Sequence, residues 1–186
     1  IVSGLILCGM RHDPDNVKAV AELAIEYKEL IIGFDIAGPE LNYLPSMYKD
    51  SFLKVKNEGI NITIHAGEGD GVHSIQEALD NGAKRIGHGV RIIEDIGDDN
   101  KLGHTADYIL QNNIPLEICI TSNLHTNMYK SPQEHPISRL YDLGFNISLN
   151  TDNRLMSNTS IDNELKIATI AGIENPSSLL KYSASE

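Results

Sequence analysis

Strand-like and helix-like segments alternate six times along this chain, and that alternation limits the folds open to it more than any other feature. IVSGLILCGM (1–10), LIIGFDIAG (30–38), NITIHAG (61–67), AKRIGHG (83–89), PLEICITSN (115–123) and FNISLNTDN (145–153) read as strands. The segments 14–29, 43–59, 72–82, 101–113, 135–144 and 160–172 carry apolar residues at helical spacing. Asp13 before Pro14 reads as an N-cap, and Gly59 and Gly82 read as helix ends. Short links between strand and helix imply parallel strands joined by helical crossovers. The strands read as near-continuously apolar, as expected when both faces of a sheet are covered. Two architectures fit: an open doubly wound sheet and a (β/α)₈ barrel.

Composition narrows the function classes. The chain has 186 residues, 41% of them hydrophobic, which suits one core and one domain over 1–186. Its formal net charge is −11, and Lys and Arg are scattered, so no nucleic-acid partner is expected. No run approaches the roughly 18 apolar residues of a membrane span, and no signal peptide is visible. Cys8 and Cys119 both lie in apolar runs and read as buried free thiols of a reducing, cytoplasmic compartment. Residue 1 is Ile, already inside a strand-like run, rather than an initiator Met.

Polar residues collect at one end of each strand. Strand two ends in Asp35 to Gly38, strand three in His65 and Glu68, and strand four in His88. Strand five ends in Ser122 and Asn123, and strand six in Asp152 and Asn153. C-terminal strand ends line the ligand site in both parallel architectures; in a closed barrel they converge, which favours the barrel. Two His and an Asp suit Zn²⁺, and Glu68 is placed to stay outside the metal shell and move protons. The inventory points to metal-assisted hydrolysis. His12, His73, His104, His125 and His135 read as structural, His135 as a helix-start residue beside Pro136. Asp35 reads equally well as a backbone-amide acceptor, and Asn123 and Asn153 as turn residues. HAGEGDG lacks the Lys and spacing of a phosphate loop, and no GxSxG is present.

Taken in order, HAGE (65–68), RIGHG (85–89), CITSN (119–123) and SLNTDN (148–153) resemble the adenosine deaminase family of the metal-dependent hydrolase superfamily. GFDIAGPE (33–40) resembles its purine-contacting segment, and NTDNRLMSNTS (150–160) its bacterial form. The resemblance implies a zinc-dependent (β/α)₈ barrel that deaminates adenosine and 2′-deoxyadenosine to inosines and ammonia. It implies His65 and Asp152 as zinc ligands and Glu68 as proton donor to purine N1. His88 would orient the attacking hydroxide and stabilise its charge, and Asp152 would also hold the water. Gly38 would bond a ring nitrogen through its backbone. Asn153 stands where many members carry an Asp that contacts N7. Gly87 of RIGHG and the Ala of HAGE favour a nucleoside over a free base or a nucleotide.

The family's first strand carries a His-x-His pair, and none occurs here. Six of eight β/α units are visible. The resemblance therefore implies the C-terminal part of one barrel domain, without its first two strands and its closing helices, and with zinc weak or absent in this chain alone. The alternatives are an inactive, metal-deficient piece that self-associates through exposed sheet edges, and a related amidohydrolase or adenine deaminase.

Overall fold

The computed structural model describes residues 3–180. β1 (Ile6–Met10) leads into α1 (Pro14–Glu26), where the Asp13 carboxylate accepts the Asn16 N–H at 3.2 Å and Pro14 fills the first turn. β2 (Gly33–Ala37) is followed by a 3-10 turn (Pro45–Tyr48) and α2 (Lys49–Asn57). β3 (Thr63–Ala66) precedes α3 (Val72–Asp80). β4 (Arg85–His88) runs into a second 3-10 segment (Val90–Asp95) and then α4 (His104–Gln111). β5 (Leu116–Ile118), α5 (Ile120–His125) and α6 (Ile137–Asp142) come next. β6 (Ile147–Leu149), α7 (Arg154–Ser157) and α8 (Ile161–Ile170) complete the order, with the Ser160 hydroxyl capping α8.

All strand pairs are parallel, and neighbours in space are neighbours in sequence. β1 pairs with β2, and β3 to β6 form a ladder with Ile64 opposite Ile86, Ile86 opposite Leu116 and Leu116 opposite Ile147. A bridge between Phe34 and Ile62 joins the two sets, with the Phe34 N–H on the Asn61 carbonyl at 2.9 Å. A doubly wound sheet reverses its strand order at a switch point; this one does not. Six successive strands in one direction of travel are the wall of an incomplete (β/α)₈ barrel.

The strands are two-faced, which corrects the reading of continuous apolar runs. Phe34, Ile36, Ile64, Ile86, Leu116 and Ile118 are fully buried in one core with Val17, Phe52, Val55, Ile75 and Ala78 of the helices. The residues alternating with them are polar: Asp35, Thr63, His65, Arg85, Glu117 and Ser148. Thr63 Oγ1 donates to the Arg85 carbonyl at 3.3 Å, and Arg85 Nη1 lies 3.3 Å from Glu117 Oε1, so one strand passes its polar row to the next. Replacing Ile86 on the central strand by Ala is expected to cost about 2–5 kcal/mol by urea unfolding. A loss under about 1 kcal/mol would contradict its place in a close-packed core.

Two further readings change. The run 115–123 stops being a strand after Ile118 and turns into α5. Its β-branched Ile120 and Thr121 favour a strand, but the fully buried Glu164 of α8 accepts the Thr121 N–H at 3.2 Å and the Thr159 hydroxyl at 2.8 Å. That contact holds the turn against local propensity. The cysteines are both free, but only Cys119 is buried; Cys8 is exposed. No helix among the described residues is long and apolar enough to cross a membrane.

Candidate active site

The turn that follows β3 is built around a buried carboxylate. Glu40, 6% exposed, accepts the backbone N–H groups of Gly67 at 2.6 Å, Glu68 at 2.9 Å and Asp70 at 3.0 Å. Three donors on one carboxylate fix the path of HAGEGD and hence the direction in which Glu68 leaves it. The fully buried Arg11 supplies the opposite charge. Its Nη2 donates to the Ile36 carbonyl at 3.3 Å and to the His65 carbonyl, and its Nη1 to the Tyr43 carbonyl at 3.4 Å. Burial lowers the Arg11 pKa, and Glu40 and Asp35 raise it. Neither Arg11 nor Glu40 stood out in the sequence, because nothing local marks a charge that is buried by distant elements. Glu40→Gln puts an amide NH₂ against a backbone N–H and is expected to cost about 1–3 kcal/mol of stability. Amide exchange at 67–70 should rise with it; unchanged protection there would contradict the clamp.

Asp35 performs the analogous task for His65. Its Oδ1 accepts the His65 N–H at 3.2 Å, and its Oδ2 lies 2.8 Å from His65 Nδ1. The side-chain approach is close but bent, nearer to an ion-pair contact than to a straight hydrogen bond. Asp35 thus combines the expected amide contact with a grip on the ring, which leaves Nε2 as the ring nitrogen free to face a ligand. Burial works against the imidazolium, but Asp35 outweighs it and pushes the His65 pKa up to about 9.

His88 and Asp152 stand opposite. Both are non-glycine residues in the left-handed region, with φ of 59° and 54°. That conformation is uncommon and is held by the surrounding structure at strand ends that need a sharp change of direction. The His65 and His88 rings lie 5.2 Å apart, edge to face. His88 Nε2 is 3.5 Å from Glu68 Oε2 and 4.0 Å from Asp152 Oδ2. Ser122 Oγ donates to Asp152 Oδ2 at 2.7 Å, and Asn123 Nδ2 approaches Glu68 Oε1 at 3.4 Å.

The two carboxyl groups are pushed apart electrostatically. Burial, then the nearby Asp152, raises the Glu68 pKa. Burial also opposes ionisation of Asp152, yet the Ser122 hydrogen bond, the Asn153 backbone N–H and the charge of His65 hold its pKa below the usual range. One group is suited to carry a proton and the other to stay ionised. Burial, then the charge of His65, lowers the His88 pKa, so His88 is neutral.

These groups line a cavity of about 700 Å³ together with Gly38, Glu40, Arg91 and Tyr129. That volume suits a small molecule. Gly38 forms part of its wall at φ +103°, where an added Cβ would be strained and would meet Met10 Cε at 3.3 Å. The structure therefore brings His65, Glu68, His88, Asp152 and Gly38 to one cavity. Asn153 is not among the residues that line it, and its Oδ1 caps α7, accepting Leu155 N–H and Met156 N–H, both at 3.1 Å. His12, His73, His104 and His125 do not line the cavity. Ser122, which reads as a polar strand-end residue, holds Asp152, and Asn123, which reads as a strand-end or turn residue, holds Glu68.

The donors present fit part of a zinc site. His65 offers an imidazole nitrogen already oriented by a carboxylate, and Asp152 an ionised oxygen. Among the described residues, no set of three or more His, Cys, Asp or Glu is arranged to hold a metal ion.

Known proteins resemble this chain in sequence and in fold. Adenosine deaminase 1 of Streptomyces coelicolor is 48% identical over 169 residues, which cover 88% of this chain and 42% of that protein. The chain thus spans less than half the length of the curated relatives it matches. A deaminase of Arabidopsis thaliana acting on N6-methyl-AMP is 28% identical with a TM-score of 0.76, over 90% of this chain and 48% of that one. An amidohydrolase of Burkholderia ambifaria with bound Zn, 20% identical, shares the fold with a TM-score of 0.81 over 93% and 48% of the two chains. The sequence model of the family described as adenosine deaminase matches residues 1–174. This chain belongs to the adenosine deaminase family.

Proposed function

We propose that this chain is the C-terminal part of a zinc-dependent barrel enzyme that hydrolyses adenosine and 2′-deoxyadenosine to the inosines and ammonia. The observation that carries the reading is one cavity in which Glu68 and Asp152 lie 3.5 Å and 4.0 Å from His88 Nε2, the first with its pKa raised by burial and the second with its pKa lowered. His65 Nε2 and Asp152 would hold zinc, with further ligands supplied from outside this chain. A zinc ion, when bound, supplies a lowered pKa for water.

The chain's own residues do the rest. Burial raises the Glu68 pKa, which suits its carboxyl group to give a proton to purine N1. Protonation withdraws electrons from C6, where an aromatic amine is otherwise a poor electrophile. His88 faces the position where negative charge develops on the adding oxygen and stabilises it. The ionised Asp152, held by Ser122, orients the water. Gly38 presents backbone to the ring without a side chain in the way. Asn153 spends its oxygen on α7, so a contact to N7 would use its Nδ2, a donor suited to that acceptor. The Gly of RIGHG and the Ala of HAGE support the nucleoside over the base and the nucleotide.

The test is steady-state turnover of adenosine, adenine and AMP by the full-length protein. Adenosine should lead in kcat/KM; AMP or adenine in front would move the substrate class. The 186-residue chain alone is expected to show no detectable turnover, since a catalytic zinc site keeps at least three protein ligands. Turnover within about tenfold of full length, roughly 1.4 kcal/mol in barrier, would contradict that.

The second reading is self-association of this chain through its sheet edges. Among the described residues, β1 and β6 each pair on one side only, and Leu155 and Met156 are 90% and 78% exposed. Sedimentation of the chain alone tests it: oligomers are expected, and a monomer at micromolar concentration would count against it.

A further inference from the structure

His135 lies two residues before α6, which begins at Ile137 rather than at 135, and its ring reaches beyond the helix start. Pro136 has no N–H, so the first amide available to the ring is that of Ile137, which donates to His135 Nδ1 at 3.2 Å. A backbone N–H cannot reverse its role, so Nδ1 is an acceptor and carries no proton. The ring is 3% exposed and burial lowers its pKa to about 3, so it is neutral and its proton sits on Nε2. That Nε2 lies 3.2 Å from Asn123 Oδ1 and donates to it.

The donation settles which way the Asn123 amide faces. Its oxygen is turned to His135, and its Nδ2 is turned to the cavity. Asn123 is fully buried, so the amide has no water to exchange partners with. Nδ2 meets His88 Nδ1 at 3.3 Å and Glu68 Oε1 at 3.4 Å, with Met128 Sδ further off at 3.8 Å. Two hydrogens therefore serve the two nearer acceptors. His88 Nδ1 must accept and so carries no proton, which leaves the ring proton on Nε2, the atom that faces Glu68 and Asp152.

We propose that His135 is a positioning residue: through Asn123 it fixes His88 as the tautomer whose Nε2 carries the proton and faces the cavity. The direction of the whole chain of hydrogen bonds is set by one backbone amide, that of Ile137. An Nε2–H donates to developing negative charge and cannot take a proton from water, so His88 acts as a donor rather than as a general base. This catalytic consequence rests on the deaminase reading; the tautomer itself does not.

The experiment uses full-length protein labelled with ¹⁵N-histidine, with His88 assigned by loss of its signals in His88→Gln. Ring ¹⁵N shifts should show His88 as a neutral Nε2–H tautomer in the wild type, and a proton on Nδ1 there would overturn the proposal. Asn123→Asp replaces the donor by an acceptor oxygen and should move the proton to Nδ1; an unchanged tautomer would overturn it too. In kinetics, His135→Phe should lower kcat about 100-fold with KM changed less than about threefold. His135→Gln restores an N–H opposite Asn123 Oδ1 and should recover at least about tenfold of that loss. Equal kcat for the Gln and Phe variants would overturn the catalytic part. If the Phe variant does not fold, the wild-type and Asn123→Asp spectra still decide the tautomer. A wild-type protein with Nε2–H that turns over no adenosine supports the positioning and overturns the deaminase reading instead.

Discussion

Glu68→Gln in the full-length protein is expected to lower kcat for adenosine by about 10³-fold or more, near the upper part of the range for a positioned acid. The substitution keeps the shape of the side chain and its contact to Asn123, so the cavity should survive. What it removes is a titratable carboxyl group whose pKa burial and the adjacent Asp152 raise. An amide cannot pass a proton to purine N1 and regain it. Because Glu68 is read as standing outside the metal shell, metal content should stay at the wild-type level. Loss of metal with loss of activity would show that Glu68 is a ligand and that the proton donor lies elsewhere.

His65→Ala should give the opposite pattern, with metal lost first and activity following. Asp35→Asn, which loosens the grip on Nδ1, should weaken metal affinity by about 10–100-fold. The pH dependence follows from the same pair. The folded His65 pKa is raised from 6.5 to about 9, although burial opposes it, because of Asp35. In metal-free protein the charged pair therefore contributes stability that is full below about 6.5 and is lost as pH rises through about 9. A metal on Nε2 must expel that proton, so apparent affinity should rise with pH across the same window. Chelator competition at pH 6.5 and pH 8.5 measures it; equal affinity at the two values would contradict a protonated His65 in the empty site.

Much of this was legible in the sequence, and the residues show why the rest was not. Asp13 caps the helix it precedes because an N-cap is a local event. His65, His88 and Asp152 could be placed together because the C-terminal ends of parallel strands lie at one end of the sheet. The two faces of each strand were missed because Asp35, Thr63, Arg85 and Glu117 look like interruptions of an apolar run until the register aligns them. CITSN looks like a strand because Glu164, some forty positions away, is what bends it. The left-handed backbone of His88 and Asp152 leaves no mark in their side-chain chemistry. Glu40, Arg11 and His135 act through partners that only the folded chain supplies, so spacing alone could not single them out.

The central claim is that these residues form the proton-handling half of an adenosine-hydrolysing site. Release of ammonia from adenosine by the full-length, zinc-loaded protein, with inosine identified as the product, tests it most directly. The expected result is stoichiometric inosine and ammonia from the wild type and a near-complete loss of both in Glu68→Gln at unchanged zinc content. Wild-type protein that holds zinc and leaves adenosine intact would contradict the account.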